Sequence, residues 1–208
     1  MSVLASDPFT GTGAGLGANW TQQTGIQAMD RSADTAIPNN LAADCGANYS
    51  AITWPDDQYS QAEISVTGTG NQTGIGIAVR MSDSARTFYW MVVCKAASNN
   101  VTITRFNAGT PSLLEQRTTT WVDGDIGKIQ VSGQATNITI KVFQNGSQLG
   151  ADISDTSASG LNAGRAGVAY SSTTTAASLN NWEGGSIVSG SSILSANGIF
   201  LIPRRVAV

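Results

Sequence analysis

Apolar and polar residues alternate with period two along most of this chain, the pattern of strands with one face on a core and the other facing water. Ala62, Ile64 and Val66 alternate with Glu63 and Ser65; Ile138, Ile140 and Val142 alternate with Thr139, Lys141 and Phe143. Val101 and Ile103 sit between Thr102 and Thr104, and Ile129 with Val131 continues the series. Between residues 74 and 79, Ile75, Ile77 and Val79 share one face while Gly74, Gly76 and Ala78 leave the other nearly bare. A strand so stripped on one side lets another layer approach, which predicts a central position. Asn145-Gly146 is a hairpin signal, and Arg165 to Tyr170 and Ala177 to Trp182 read as closing strands. Helical signal is thin: Pro111 to Gln116 has the length for one turn at most. Ser154 to Gly160 reads as a polar loop, and Leu161 to Gly164 as a turn.

The ends of this pattern match each other. Asp7-Pro8-Phe9 and Leu16-Gly17-Ala18-Asn19-Trp20 open it, and Ala177-Ser178-Leu179-Asn180-Asn181-Trp182 closes it. The frame predicts that the first and last strands meet and that Trp20 and Trp182 pack in the core. One domain over residues 1–185 follows, with 186–208 left outside it. That stretch is linker-like at Gly184-Gly185 and Ser189-Gly190-Ser191-Ser192, then apolar at Ile193-Leu194 and Ile199-Phe200-Leu201-Ile202, ending in Arg204-Arg205. A free apolar strand invites pairing with another chain's sheet edge.

Composition narrows the class. The 208 residues are 41% hydrophobic and only 12% charged, about half the usual share of roughly 25%. A net charge of -3 and scattered Lys and Arg give no cationic surface for nucleic acid or anionic membrane. Met1 to Asp7 shows neither a basic n-region nor an apolar h-region, so a chain that is not exported is expected. The absence of His removes Ser-His-Asp, Cys-His and the commonest zinc chemistry. Cys45 and Cys94 lack any metal spacing and are expected to be free, structural thiols.

The runs 57–64, 74–83 and Phe88-Tyr89-Trp90, then 138–146 and 164–169, in that order inside the Trp20/Trp182 frame, resemble the concanavalin A-like, laminin-G-like jelly rolls. The resemblance covers roughly residues 7–185. It implies an all-β, two-sheet antiparallel jelly-roll β-sandwich with adjacent chain ends, here followed by a short C-terminal extension. Lectins, carbohydrate-binding modules, glycoside hydrolases and virion proteins share that fold, so the fold does not select the function.

Hydrolases of this superfamily carry Glu-x-Asp-x-x-Glu on a strand, and nothing similar occurs here. The nearest carboxylate pair, Asp123-Gly124-Asp125, reads as a turn before the strand 126–131. Asp56, Asp57, Asp83, Asp123, Asp125 and Asp152 form no calcium-loop motif, and no cofactor is called for. Sugar binding asks for aromatic faces beside fixed polar groups, and Trp54, Tyr59 and Trp121 with Asp57 and Arg86 are the candidates. Trp54 and Trp121 stay open between sugar stacking and core packing, while Trp90 is assigned to the core.

The leading expectation is a non-enzymatic structural protein of a bacteriophage-like virion, a capsid decoration or tail-associated lectin-like protein. Ile199, Phe200, Leu201 and Ile202 would dock it on neighbouring subunits or on a second copy, with Arg204 and Arg205 meeting acidic groups. The alternative is a carbohydrate-binding module or lectin that recognises a polysaccharide.

Overall fold

A computed structural model of the chain describes residues 1–66, 74–83, 85–94, 100–157, 160–171 and 177–187. The expected docking residues Ile199, Phe200, Leu201, Ile202, Arg204 and Arg205 lie outside the described residues. The strands are β1 (Ser2–Asp7), β2 (Trp20–Gln22), β3 (Met29–Ser32), β4 (Thr35–Pro38), β5 (Cys45–Tyr49), β6 (Gln58–Val66), β7 (Gly74–Met81) and β8 (Phe88–Cys94). They continue as β9 (Asn100–Asn107), β10 (Thr110–Thr118), β11 (Asp125–Ser132), β12 (Ile138–Gln144), β13 (Ser147–Gln148), β14 (Ile153–Asp155), β15 (Arg165–Ser171) and β16 (Ala177–Ser186). No helix occurs among the described residues.

Two antiparallel sheets face each other. The first runs β13-β12-β11-β6-β16-β4-β3, with β1 added to β16 and β14 to β12; the second runs β10-β9-β8-β7-β15-β5-β2. As the frame predicts, β1 pairs with β16, Ser2 opposite Ser186 and Asp7 opposite Trp182. The bare-faced strand β7 is the middle strand of the second sheet, and its glycine side carries the Trp90 ring across Gly74. Between the sheets lie Ala62, Ile64 and Val66 with Ile75, Ile77, Val79, Tyr89, Met91 and Val93, all buried. Two expectations need correction. Pro111 to Gln116 is not a helical turn but part of β10, because pairing with β9 satisfies its backbone where a lone turn would not. Ser154 and Asp155 likewise leave the predicted loop to pair as β14 with β12.

Two of the predicted turns hold, whereas Leu161 to Gly164 is irregular and forms no regular turn. Asn145 and Gly146 both have positive φ, 50° and 80°, as a two-residue hairpin turn requires. Asp123 and Gly124 form the turn before β11, and Asp125 accepts from the Val122 N–H at 2.9 Å and from Gln144 and Asn145 at 2.7 Å each. Cys45 and Cys94 are free thiols on opposite faces of the second sheet, Cys45 in the main core and Cys94 against the Phe88, Trp90 and Phe106 cluster.

Two polar clusters tie the layers together. Arg80 is fully buried at the end of β7 with φ 54°, and donates to the carbonyls of Asp56 (2.9 Å), Leu161 (2.5 Å) and Gly133 (2.7 Å). Asp57 lies 3.8 Å away as its counter-charge. Asp155 on β14 accepts from Tyr89 on β8 at 2.7 Å and from Arg105 on β9 at 2.9 Å, so it bridges the two sheets. Burial alone would raise its carboxyl pKa, but hydrogen bonds from Tyr89, the Ser157 N–H and Arg105 outweigh that and hold it below the ordinary 3.8.

Replacing Arg80 by Met leaves three carbonyls, that of Leu161 buried, without their donor and removes the counter-charge of Asp57, and a loss of about 3–5 kcal/mol is expected in urea unfolding. Arg80→Lys should recover little of it, because one ammonium cannot reach three diverging carbonyls. For Asp155, a folded-state pKa below the unfolded one gives stability that is present above about pH 4 and lost as pH falls through the lowered value. The acid limb of unfolding free energy against pH should therefore be shallower in Asp155→Asn than in the parent; equal slopes would contradict this bridge.

Candidate functional site

The five sugar-binding candidates do not converge. Trp121 is 3% exposed and donates its indole N–H to the Ile64 carbonyl at 3.2 Å, so it is a core residue. Gly127 makes room for it, since a Cβ there would lie 3.2 Å from the Trp121 ring and 2.8 Å from Ile64. Tyr59 is on the outward face of the first sheet but only 2% exposed, under Lys128, whose Nζ lies 4.9 Å from the ring centroid. Its hydroxyl donates to Glu183 at 2.5 Å, and its pKa is raised by burial first and by that carboxylate second. Asp57 serves Arg80 and accepts from the Gly133 N–H at 3.0 Å. Arg86 pairs with Asp44 at 2.5 Å and lies 4.0 Å over the Phe106 ring, on the outward face of the second sheet.

Trp54 alone among the five opens on a cleft. Among the described residues only Trp54 and Phe143 are aromatic side chains that are not buried. Phe143 belongs to the sheet face near Lys128, 6.0 Å from that ammonium. Trp54 stands at the end of an aromatic stack. Trp20 meets Trp182 at 4.7 Å between centroids, Trp182 stacks on Tyr49 at 5.3 Å and 21°, and Trp54 sits edge-on to both Tyr49 and Trp182 at 6.5 and 6.2 Å. Its indole N–H donates to the Tyr49 carbonyl at 2.7 Å, which fixes the ring.

Opposite Trp54 the loops after β5, β7 and β14 close a cleft of about 410 Å³ lined by residues 52–54, 81–83 and 163–165. That volume is at the small end of the usual range for ligand sites, roughly 300–1,000 Å³. Asp83 and Arg165 form an ion pair in it, and Asn48 joins both: its amide donates to Asp83 Oδ1 at 3.2 Å and its carbonyl accepts from Arg165 at 3.2 Å. Asn48 is fully buried beneath, whereas the Asp83 side chain is 51% exposed and that of Arg165 30%. Gly164, at φ 141°, passes so close to Arg80 that a Cβ would lie 2.3 Å from its carbonyl carbon. The cleft wall is thus seated on the buried arginine.

Asn48, Asp83 and Arg165 carry no sugar-site signal in the sequence. Asp83 and Arg165 are separated by 82 residues and meet only because β7 and β15 are neighbours in the sheet. Two further clefts, of about 440 Å³ beside Arg117 and Asp152 and about 380 Å³ beside Asp7 and Asn181, have no aromatic face like that of Trp54: the first has no aromatic lining, and the second only the buried Trp182.

No family model and no curated protein matches the chain. Solved structures do match it in shape. The carbohydrate binding module CBM66 from Bacillus subtilis superposes with a TM-score of 0.63 at 15% identity, over 81% of this chain and 96% of that one. The exoplasmic/lumenal domain of VIP36, in a Ca2+/Man-bound form, superposes at 0.58 and 13% identity over 90% and 92%. The GH43 BlXynB protein from Bacillus licheniformis superposes at 0.59 and 9% over 88% of this chain and 39% of its own. Among the described residues no three His, Cys, Asp or Glu side chains converge. With its two facing antiparallel sheets and β1 paired to β16, the chain has the concanavalin A-like jelly-roll fold that these structures share.

Proposed function

We propose that this chain is a non-enzymatic, lectin-like domain that binds a polysaccharide in the cleft between Trp54 and Arg165. The observation that carries the reading is the pairing, in one cleft, of a fixed indole with a carboxylate and a guanidinium that Asn48 holds from beneath. Sugar rings present C–H faces that stack on aromatic faces and hydroxyls that need both donors and acceptors. Hydrolysis through two carboxylates has less to stand on, because the described lining of this cleft holds one, Asp83. The named neighbours include a carbohydrate binding module and a mannose-bound domain, which favours the glycan reading over a virion structural role.

A glycan array should give signal with the parent chain, and Trp54→Ala should weaken the best hit at least about tenfold, roughly 1.4 kcal/mol. Trp121→Ala should instead lower stability by about 3–5 kcal/mol and leave the affinity of the folded fraction unchanged. An array without signal, or affinity insensitive to Trp54, would overturn the assignment.

A further inference from the structure

The ion pair in the cleft restricts what kind of glycan it takes. Asp83 Oδ1 is fully used, receiving both Asn48 and Arg165, while Oδ2 has no partner among the described residues. On Arg165, Nη1 serves Asp83 and Asn48, and Nη2 and Nε have no described partner. One free anionic acceptor therefore stands beside free cationic donors on a half-exposed pair of zero net charge. We infer, resting on the glycan reading of this cleft, that it selects an uncharged sugar through a vicinal diol, one hydroxyl donating to Asp83 Oδ2 and its neighbour accepting from Arg165.

The chemistry favours a neutral ligand from both sides. A hydroxyl donates one hydrogen bond and accepts others, so two adjacent hydroxyls match one acceptor beside one donor. A uronate can accept from Arg165, but only by bringing its carboxylate against Asp83 and competing with Asp83 for the same guanidinium. An amino sugar meets the mirror-image problem, its ammonium satisfied by Asp83 and repelled by Arg165. The net charge of -3 adds a long-range penalty to anionic chains and none to neutral ones.

The test uses the full chain, nitrogen-labelled, and three pairs of oligosaccharides that differ only in oxidation at C6: galactose, glucose and mannose oligomers against the corresponding uronates. In titrations followed at the Trp54 indole signal, at least one neutral oligomer should bind, with a Kd at least about tenfold below that of its uronate partner in low salt. Asp83→Asn should shrink that ratio to below about threefold by admitting the uronate. High salt should narrow the same ratio in the unaltered chain while leaving the neutral Kd in place, a check that does not depend on the variant folding. Binding of a uronate as tightly as its neutral partner would overturn the selectivity and leave glycan binding standing. Silence from all six oligomers would count against the cleft reading and the selectivity together.

Discussion

The buried guanidinium of Arg80 is the constraint on which the cleft end of this molecule depends. A non-glycine residue at φ 54° costs roughly 1–2 kcal/mol, and a buried charge costs more unless it is hydrogen-bonded. Here each guanidinium nitrogen donates to backbone: the carbonyls of Asp56, Gly133 and Leu161 belong to three loops that have no strand pairing of their own. Gln58 completes the arrangement, accepting from the Arg80 N–H at 3.1 Å and donating to the Gly164 carbonyl at 3.0 Å. Loops that would otherwise sample many conformations are gathered around one side chain, and the cleft is the space they leave.

Rigidity at that end also comes from the aromatic stack. Each of its indoles has a fixed acceptor: Trp20 donates to Asp7, Trp182 to the Ser60 hydroxyl and Trp54 to the Tyr49 carbonyl. Asp7 lies on β1 and Trp182 on β16, so pairing those strands and bracing Trp54 are one event. A ring already held in place loses no rotamer freedom when a ligand stacks on it, which favours binding by preorganisation. Asn48 does the same for the polar side of the cleft, holding Asp83 and Arg165 from below.

Much of this architecture was legible in the chain, and the reasons for the exceptions are specific. Period-two alternation exposed the strands because one face of each meets the core, and the frame from Asp7 to Trp182 exposed the pairing of β1 with β16 because Trp20, on the facing sheet, packs on Trp182 across the core. Segment 111–116 misled because a proline followed by Leu113-Leu114 looks like a turn, whereas β10 is an edge strand whose solvent side tolerates both. Trp121 was undecidable locally; its burial is set by a missing side chain at Gly127 and a carbonyl on β6. Asp83 and Arg165 were invisible as a pair, since strand neighbourhood rather than sequence distance joins them.

The location of the site follows from how the remaining surfaces are spent. The outward face of the second sheet is filled by Phe88, Trp90 and Phe106, with Arg86 laid across Phe106 toward Asp44. The outward face of the first sheet offers Tyr59, but that ring is buried with Lys128 over it. Apart from Phe143, the aromatic side chains on these described sheet faces are buried and leave little stacking surface. Loop ends offer one, provided something other than strand pairing holds them still, and in this chain Arg80, Asn48 and the Trp182 stack hold them. That is the physical reason a sandwich with so little charge can place one carboxylate, one guanidinium and one open indole within the same cleft.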